Sequence, residues 1–382
     1  MTTPSVLVVT RWLCSPADNG ARIRRAELLG ALAERFDVRI IALLDSQPDP
    51  ADVQRVPGRV SVVEQPPYEP SSLRALAGLA RRTPRAVTAT DARAAHERVR
   101  AAIGEQRPSV FVADEIHTAH YAIGHGIPVL VEELQVGQLA DDTSWRGRLT
   151  WLKNRDYHRR VLSSAALATT PSTVERDLLL RIMPSACIEV IPNGVDAERL
   201  RPDTNPYYDE DQLIYAGSPQ YEANRDAVVW FAAEVLPLVR RARPTTRLVV
   251  TGATEGVALP RLDGVEFVGH LDDVTEAIRR SSVSVVPLRR GGGTRIKVLE
   301  SLALGTPVVS TAKGVEGLDC SELEAIVAQT PAAFAAAILD VIDDPARRQL
   351  HATAGRAFAI RNDWEPIRER FVEVVAEVAR SS

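Results

Sequence analysis

Residues 283–310 read VSVVPLRRGGGTRIKVLESLALGTPVVS, and the order of residue types in this stretch decides the fold class. A β-branched apolar run at Val283–Val286 gives way to three consecutive glycines, a segment of helical period over 295–304, and a second apolar run at Val308–Ser310. Strand, glycine turn, helix and strand in that order form the unit from which parallel sheets covered by helices are built. The same alternation runs outward through the whole chain. In the first half it predicts strands at Ser5–Thr10, Val38–Leu43, Val60–Val63, Ser109–Ala113, Pro128–Val131, Ala166–Thr169 and Cys187–Ile191. Helices are predicted between them at about 20–35, 71–81, 91–106, 117–125, 146–164 and 172–182. The second half adds strands at Leu213–Tyr215, Arg247–Thr251, Val265–Val268 and Ala325–Val327 to the two already named, with helices at about 224–242, 272–280, 331–343 and 365–379. Runs such as VLVV and VRIIALL carry no polar alternation, as befits strands buried on both faces. The fold class predicted is α/β.

The segment PNGVDAERLRPDTNPYYDEDQ, residues 192–212, concentrates Pro, Asn and Asp without apolar periodicity and reads as a linker. It divides the chain into an N-terminal domain, 1–191, and a C-terminal domain, 213–364, followed by a helix at 365–382 that has the option of returning to the first domain. A length of 382 residues with 45% apolar content supports two cores. The charge balance excludes an obvious nucleic-acid binder: residues 1–200 carry 25 basic and 24 acidic side chains, and 201–382 carry 21 and 26. Three cysteines (Cys14, Cys187, Cys320) stand far apart, so neither a disulfide framework nor a zinc knuckle is predicted and a reducing, cytoplasmic setting fits. The N-terminus runs straight into a strand, without the signature of a signal peptide, and no window reaches the ~18 apolar residues of a spanning helix. Arginine is the default cation; only Lys153, Lys297 and Lys313 are lysines, which makes each of them more informative.

Gly291-Gly-Gly-Thr-Arg-Ile-Lys-Val-Leu-Glu300 is the sharpest candidate site. Consecutive glycines cost backbone entropy and let a ligand approach closely. The helix they open offers free amides and a positive dipole end to an anion, and Arg295 and Lys297 add charge where that dipole disfavours it. Two readings are open for Lys297 and Glu300, which share a helix face at i, i+3: a mutual ion pair, or a cation on a diphosphate beside a carboxylate on ribose hydroxyls. The turn Tyr215-Ala-Gly-Ser-Pro-Gln-Tyr-Glu-Ala-Asn224 follows a strand, where open α/β sheets bind ligands, and Gly217 and Ser218 offer it an amide and a hydroxyl. GGGTR is not a Walker loop, and no GxGxxG follows the first strand, so ATPase and nicotinamide readings lose their support.

These residues carry a resemblance. IPNGVD (191–196), GSPQYEANRDAVVWF, VEFVGHL followed by two Asp, and GGGTRIKVLESLALGTPVVST closing on Gly314-Val-Glu-Gly-Leu318 resemble the retaining glycosyltransferases of family 4. The resemblance implies the GT-B fold, two Rossmann-like domains facing across a cleft, with a nucleoside-diphosphate sugar held mainly by the second. It implies that Glu300, the second Glu of the family's E-x7-E motif, binds ribose; Gly292 stands where the first Glu belongs. Thr294 and Arg295 replace a family glycine, so the donor loop, with Gly292, Gly293 and Thr294 on the donor, resembles a GGGTR subgroup rebuilt around Arg295. His270 and Leu271 fall where the family lines its base pocket, although His270 also reads as an exposed turn residue. Gly20, in Pro16-Ala-Asp-Asn-Gly20, matches the family's glycine loop or simply opens a helix. Asp114 and His117 fall where the family places histidines near the reacting sugar.

Arg295, Lys297, Asp114 and His117 are the catalytic candidates, with the cations neutralising a departing diphosphate. No metal and no cofactor are expected: His117 and His120, at i, i+3, have no carboxylate four residues away on the same face. The implied acceptor is a glycan, a lipid-linked sugar or a small natural product, and Glu132 and Glu133 either contact it or form a solvated pair. Trp145–Arg160 puts six cations and three aromatics into sixteen residues, which suits a helix lying on anionic headgroups or a surface helix whose Trp residues pack inward. Alternatives to transfer are a sugar-nucleotide epimerase and a non-catalytic nucleotide-sugar-binding protein.

Overall fold

Each apolar run becomes a strand of one of two parallel sheets. The computed structural model describes residues 4–137, 144–203, 208–293 and 295–380. In the first unit, β1 (Ser5–Thr10), β2 (Asp37–Leu44), β3 (Arg59–Glu64), β4 (Val110–Asp114), β5 (Val129–Glu132), β6 (Leu167–Thr170) and β7 (Ile188–Val190) pair in the order β3-β2-β1-β4-β5-β6-β7. In the second, β8 (Asp209–Ala216), β9 (Arg247–Thr251), β10 (Val265–Gly269), β11 (Ser281–Val286), β12 (Val308–Ser310) and β13 (Ile326–Val327) pair as β10-β9-β8-β11-β12-β13. Both sheets start at a central strand, grow to one side and then reverse, which is the doubly wound Rossmann pattern. Such sheets bind ligands at the carboxyl ends of the strands beside the reversal, here β1 with β4 and β8 with β11.

The two units comprise 1–192 with 365–382, and 193–364. Strand interiors are dry on both faces: Leu7, Val9, Phe111 and Val131 in the first core, and Leu213, Tyr215, Val250, Val283 and Val285 in the second, have no exposed surface. The segment read as a linker over 192–212 is structured at both ends. Val195, Ala197 and Leu200 are buried in the second core, and β8 already begins at Asp209. The reason is pairing: Val195 N–H donates to Asn362 O at 3.0 Å and Trp364 N–H returns to Val195 O at 3.2 Å.

The helix Trp364–Arg380 packs on the first unit, where Arg370 donates to Glu189 at 3.0 Å, Arg368 lies 3.6 Å from Glu27, and Phe371, Val374 and Val375 are buried. Three helices lie outside the predicted set: Pro50–Arg55, Arg85–Thr90 and Pro345–Arg361. The last has an acceptable start, Asp344 capping the amides of Ala346 and Arg347 ahead of Pro345, but its many Ala and Arg residues blur the apolar period. Among the described residues no helix is long and apolar enough to cross a membrane.

Candidate active site

In the second unit, β8 ends at Ala216 and the chain turns through Gly217 and Ser218 into the helix Glu222–Trp230, while β11 leads through the glycine loop into the helix Ile296–Ala303. The helix starts one residue later than predicted, so Arg295 occupies the N-cap position and Lys297 the first turn. The Lys297 ammonium donates to Tyr215 Oη at 3.0 Å and Asn224 Oδ1 at 3.2 Å, and lies 4.2 Å from the centre of the Tyr215 ring. Tyr215 Oη–H in turn donates to Asn224 Oδ1 at 2.6 Å. Both acceptors are neutral, and among the described residues no carboxylate lies within ion-pair distance of Lys297. Burial, with the Arg295 charge behind it, lowers the Lys297 ammonium to about 7. Gly217 leaves room for this arrangement: a Cβ there would displace the Lys297 ammonium from its present position.

Of the two readings left open for Lys297 and Glu300, the mutual ion pair is not formed among the described residues. Glu300 is half-buried on the same helix, its carboxylate has no hydrogen-bond partner among the described residues, and burial raises its pKa, offset by the charges of Arg199 and Lys297. Two acceptor oxygens are thus held near the site without a donor.

Arg295 differs from the expectation of a diphosphate contact. It is 5% exposed, and its guanidinium donates to the carbonyls of Lys313 (3.1 Å), Gly292 (3.0 Å) and Gly291 (3.4 Å). It folds back on the loop because three glycines leave carbonyls with no side chain to shield them. The loop itself needs glycine at Gly291, where φ is +95° and a Cβ would stand 2.8 Å from Ala223 Cβ. Gly293 is exposed with φ of +92°, and Gly292 is half-buried; Thr294 lies outside the described residues. Ser218 Oγ is committed to Ala253 O at 2.7 Å, which ties the β8 turn to the β9 turn and corrects the reading of Ser218 as a free hydroxyl. His270 is exposed, 3.6 Å from Asp272, as a turn residue would be, and Leu271 is half-buried beside it. Sequence reasoning missed Tyr215 and Asn224 as the residues that hold Lys297, since nothing in their spacing separates them from ordinary strand and helix positions.

In the first unit the carboxyl ends of β1, β4 and β5 carry a charge cluster over the helix Gly20–Arg35. Asp114 is buried, accepts from Thr10 Oγ1 at 2.5 Å and from Arg25 Nη2 at 2.8 Å, and so is already occupied rather than free to act on a sugar. Arg24, 1% exposed, donates from Nε and Nη2 to Glu132 at 3.0 and 2.8 Å. Glu115 and Glu133, which follow these strands, adopt φ of +68° and +55°. Strained non-glycine residues of this kind concentrate at functional sites. Burial and the neighbouring Glu132 charge push the Glu133 carboxyl up to about 8. Asp114, Glu132 and Glu133 are close enough together to suit a cation, but Arg24 and Arg25 already supply the positive charge. His117 is partly exposed, with Nδ1 3.8 Å from Glu115. Gly20 is the first helical residue, after an Asn19 cap that accepts from Arg22 N–H at 3.1 Å.

Residues 19–194 match the model of the glycosyl transferase 4-like domain, and residues 210–344 that of the glycosyl transferases group 1. The chain belongs to the glycosyltransferases. Among curated relatives, this glycosyltransferase is 29% identical to a glycogen synthase of Mycobacterium tuberculosis over 307 residues, 72% of this chain and 70% of the relative. It is 26% identical to a phosphatidyl-myo-inositol mannosyltransferase of the same species over 245 residues, 59% of this chain and 62% of the relative. Among solved structures it is similar to sucrose-phosphate synthase from Thermosynechococcus elongatus (TM-score 0.76, 18% identity, 99% and 100% of the two chains). A second similar structure is Anabaena HepE in complex with UDP and glucose (TM-score 0.69, 14% identity, 98% and 99%). These neighbours share the GT-B fold of two Rossmann-like domains.

The lowered Lys297 pKa fixes a pH dependence of stability. Between about 7 and the ~10.4 of an unfolded lysine, the unfolded chain holds a proton that the folded one has released, so stability rises with pH through that window. The glycosyltransferase should therefore gain unfolding free energy between pH 7 and 9 relative to Lys297→Met, by at most ~1.4 kcal/mol per pH unit. Urea titrations of both proteins across this range check it; parallel pH profiles would show that Lys297 keeps an ordinary pKa.

Proposed function

We propose that this glycosyltransferase moves a sugar from a nucleoside-diphosphate sugar to an acceptor hydroxyl with retention of configuration and without a metal in the donor site. The observation that carries the reading is Lys297, a partly buried amine whose hydrogen-bond partners among the described residues are both neutral, beside the carboxylate of Glu300, which has no hydrogen-bond partner among them. A diphosphate supplies the anion that Lys297 lacks, and ribose hydroxyls supply the donors that Glu300 lacks. The bare backbone at Gly217 and through the glycine loop admits the phosphates, with helix-terminal amides adding partial positive charge. Arg295 acts as a positioning residue that holds the loop carbonyls away from the ligand, and Gly292 leaves the sugar's recognition to other groups than the family's first Glu.

As the glycosidic bond to the diphosphate breaks, negative charge grows on the leaving oxygen. Lys297 sits in a water-poor setting where a fixed cation stabilises such charge strongly. The acceptor hydroxyl then attacks the oxocarbenium-like sugar on the face the diphosphate leaves, and its proton passes to the departing diphosphate oxygen. Retention is the part of this reading that rests on the resemblance to family 4 alone.

The acceptor side favours a lipid-linked sugar at a membrane surface. The helix Leu73–Ala80 exposes Leu73 (85%) and Leu79 (55%), and the helix Trp145–Leu162 exposes Trp145 (68%) and Leu149. Lys153 Nζ donates to Gly78 O at 3.0 Å and Arg160 to Arg82 O at 3.0 Å, so the two helices are tied together. Trp151 packs inward on the core, so only part of the aromatic set faces out. Apolar side chains flanked by Arg74, Arg148 and Arg155 fit an anionic interface.

Thermal shift with UDP, GDP, ADP and dTDP tests the donor reading. At least one should raise the midpoint at millimolar concentration, because a ligand of the native state stabilises it by mass action. Glu300→Ala should weaken that nucleotide by ~1.5–3 kcal/mol, roughly 10- to 150-fold, with the fold intact. No shift with any nucleotide, or unchanged affinity in a folded Glu300→Ala, would overturn it. Flotation tests the membrane reading: binding to anionic vesicles that falls with salt and is lost in Arg74→Glu/Arg148→Glu/Arg155→Glu is expected, and no binding at low salt points to a soluble acceptor.

A further inference from the structure

Away from the carboxyl-end cluster of the first unit, three metal-ligating side chains from separate segments meet at one point. Asp91 follows the helix Arg85–Thr90, His96 lies in the first turn of the helix Arg93–Glu105, and His120 lies in the short helix Ala119–Ala122. Nε2 of both histidines is directed at the same oxygen, Asp91 Oδ1, at 2.9 Å for His96 and 3.3 Å for His120. All three ligand atoms fall within 4.8 Å of one another.

We propose that Asp91, His96 and His120 form a binding site for a late first-row divalent cation of the Zn2+ type. The geometry carries the inference. Ligands at the usual ~2.0–2.1 Å around a tetrahedral ion stand about 3.3 Å apart, the separation that the carboxylate and imidazole atoms already have. Two imidazoles with one carboxylate select zinc, cobalt, nickel or copper over magnesium or calcium, which prefer all-oxygen sets. Three protein ligands leave a fourth position open to water or to a group on another molecule.

The cluster is held in place by the fold as well as by the hydrogen bonds of the two imidazoles to Asp91. Tyr121, 2% exposed, stacks against both rings, with centroids 4.6 Å from His96 and 3.9 Å from His120. Its hydroxyl accepts from Ala92 N–H at 3.0 Å, which pins the Asp91 turn to the helix that carries His120. The imidazoles are thus already gathered where an ion would replace their hydrogen bonds to Asp91, and Asp91 at 46% side-chain exposure leaves a path from solvent. Sequence spacing does not show the site, because the nearest carboxylate to His120 comes from a segment 29 residues earlier.

Equilibrium dialysis of the untagged full-length chain against micromolar Zn2+ tests the proposal, with metal content read by atomic spectroscopy. One equivalent of Zn2+ per chain is expected, with Mg2+ at the same concentration not retained. His96→Gln and His120→Gln should each weaken Zn2+ binding at least tenfold while melting as the wild type does in EDTA, and His125→Gln should bind normally. Asp91→Asn, at an exposed position, serves as the further variant if either histidine substitution impairs folding. Equal Zn2+ content in wild type and a folded His96→Gln/His120→Gln double variant, or equal retention of Mg2+, would overturn the proposal.

Discussion

A partly buried lysine ammonium whose hydrogen-bond partners among the described residues are a phenol and an amide is the constraint around which the second unit's candidate site is arranged. Lys297 cannot be relieved by Glu300, which lies on its own helix out of ion-pair range, nor by the helix dipole, whose positive end it shares. Its neighbours accommodate it instead. Gly217 gives up a Cβ to make room, Tyr215 and Asn224 supply oxygens, and Arg295, a second cation, turns away onto the carbonyls of Gly291, Gly292 and Lys313. Arg295 also lies 3.8 Å from Glu316, so the amine at the carboxyl end of β8 and β11 whose charge stands to gain from an anion is that of Lys297.

The first unit shows what a satisfied version of the same sheet position looks like. At the ends of β4 and β5, Arg25 answers Asp114 and Arg24 answers Glu132, each pair buried and hydrogen-bonded. Breaking a buried pair of that kind leaves an uncompensated charge and costs ~3–5 kcal/mol, so these residues read as architecture that fixes the strand ends. The pair that follows them, Glu115 and Glu133, is held in left-handed backbone conformations and is pushed in opposite directions: against its burial, His117 and Arg25 hold the Glu115 carboxyl down, while burial and Glu132 push that of Glu133 up.

Most of the fold could be read from the chain because both sheets are buried on two faces and announce themselves as unbroken apolar runs. Every strand predicted has its counterpart, and the glycine loop with Lys297 and Glu300 stood out as charge in a place the helix dipole disfavours. The parts that were not legible depend on contacts between distant segments. Whether Arg295 faces a ligand or its own loop is decided by the Lys313 carbonyl eighteen residues on. Asp114 looked available until Thr10 and Arg25 closed on it, and the meeting of Asp91, His96 and His120 has no trace in local spacing. Pro345–Arg361 escaped for a different reason, since its Ala-rich surface carries too weak an apolar stripe to mark a helix.

The central claim is that Lys297, its pKa lowered to about 7 in the free protein, is mostly neutral at pH 8 and takes up a proton when a diphosphate binds. Titration calorimetry with a nucleoside diphosphate at pH 8, repeated in buffers of different ionisation enthalpy, measures that proton directly. The account predicts a net proton uptake on binding to the wild type that disappears in Lys297→Met. Equal proton exchange in the two proteins, with nucleotide bound by both, would contradict it.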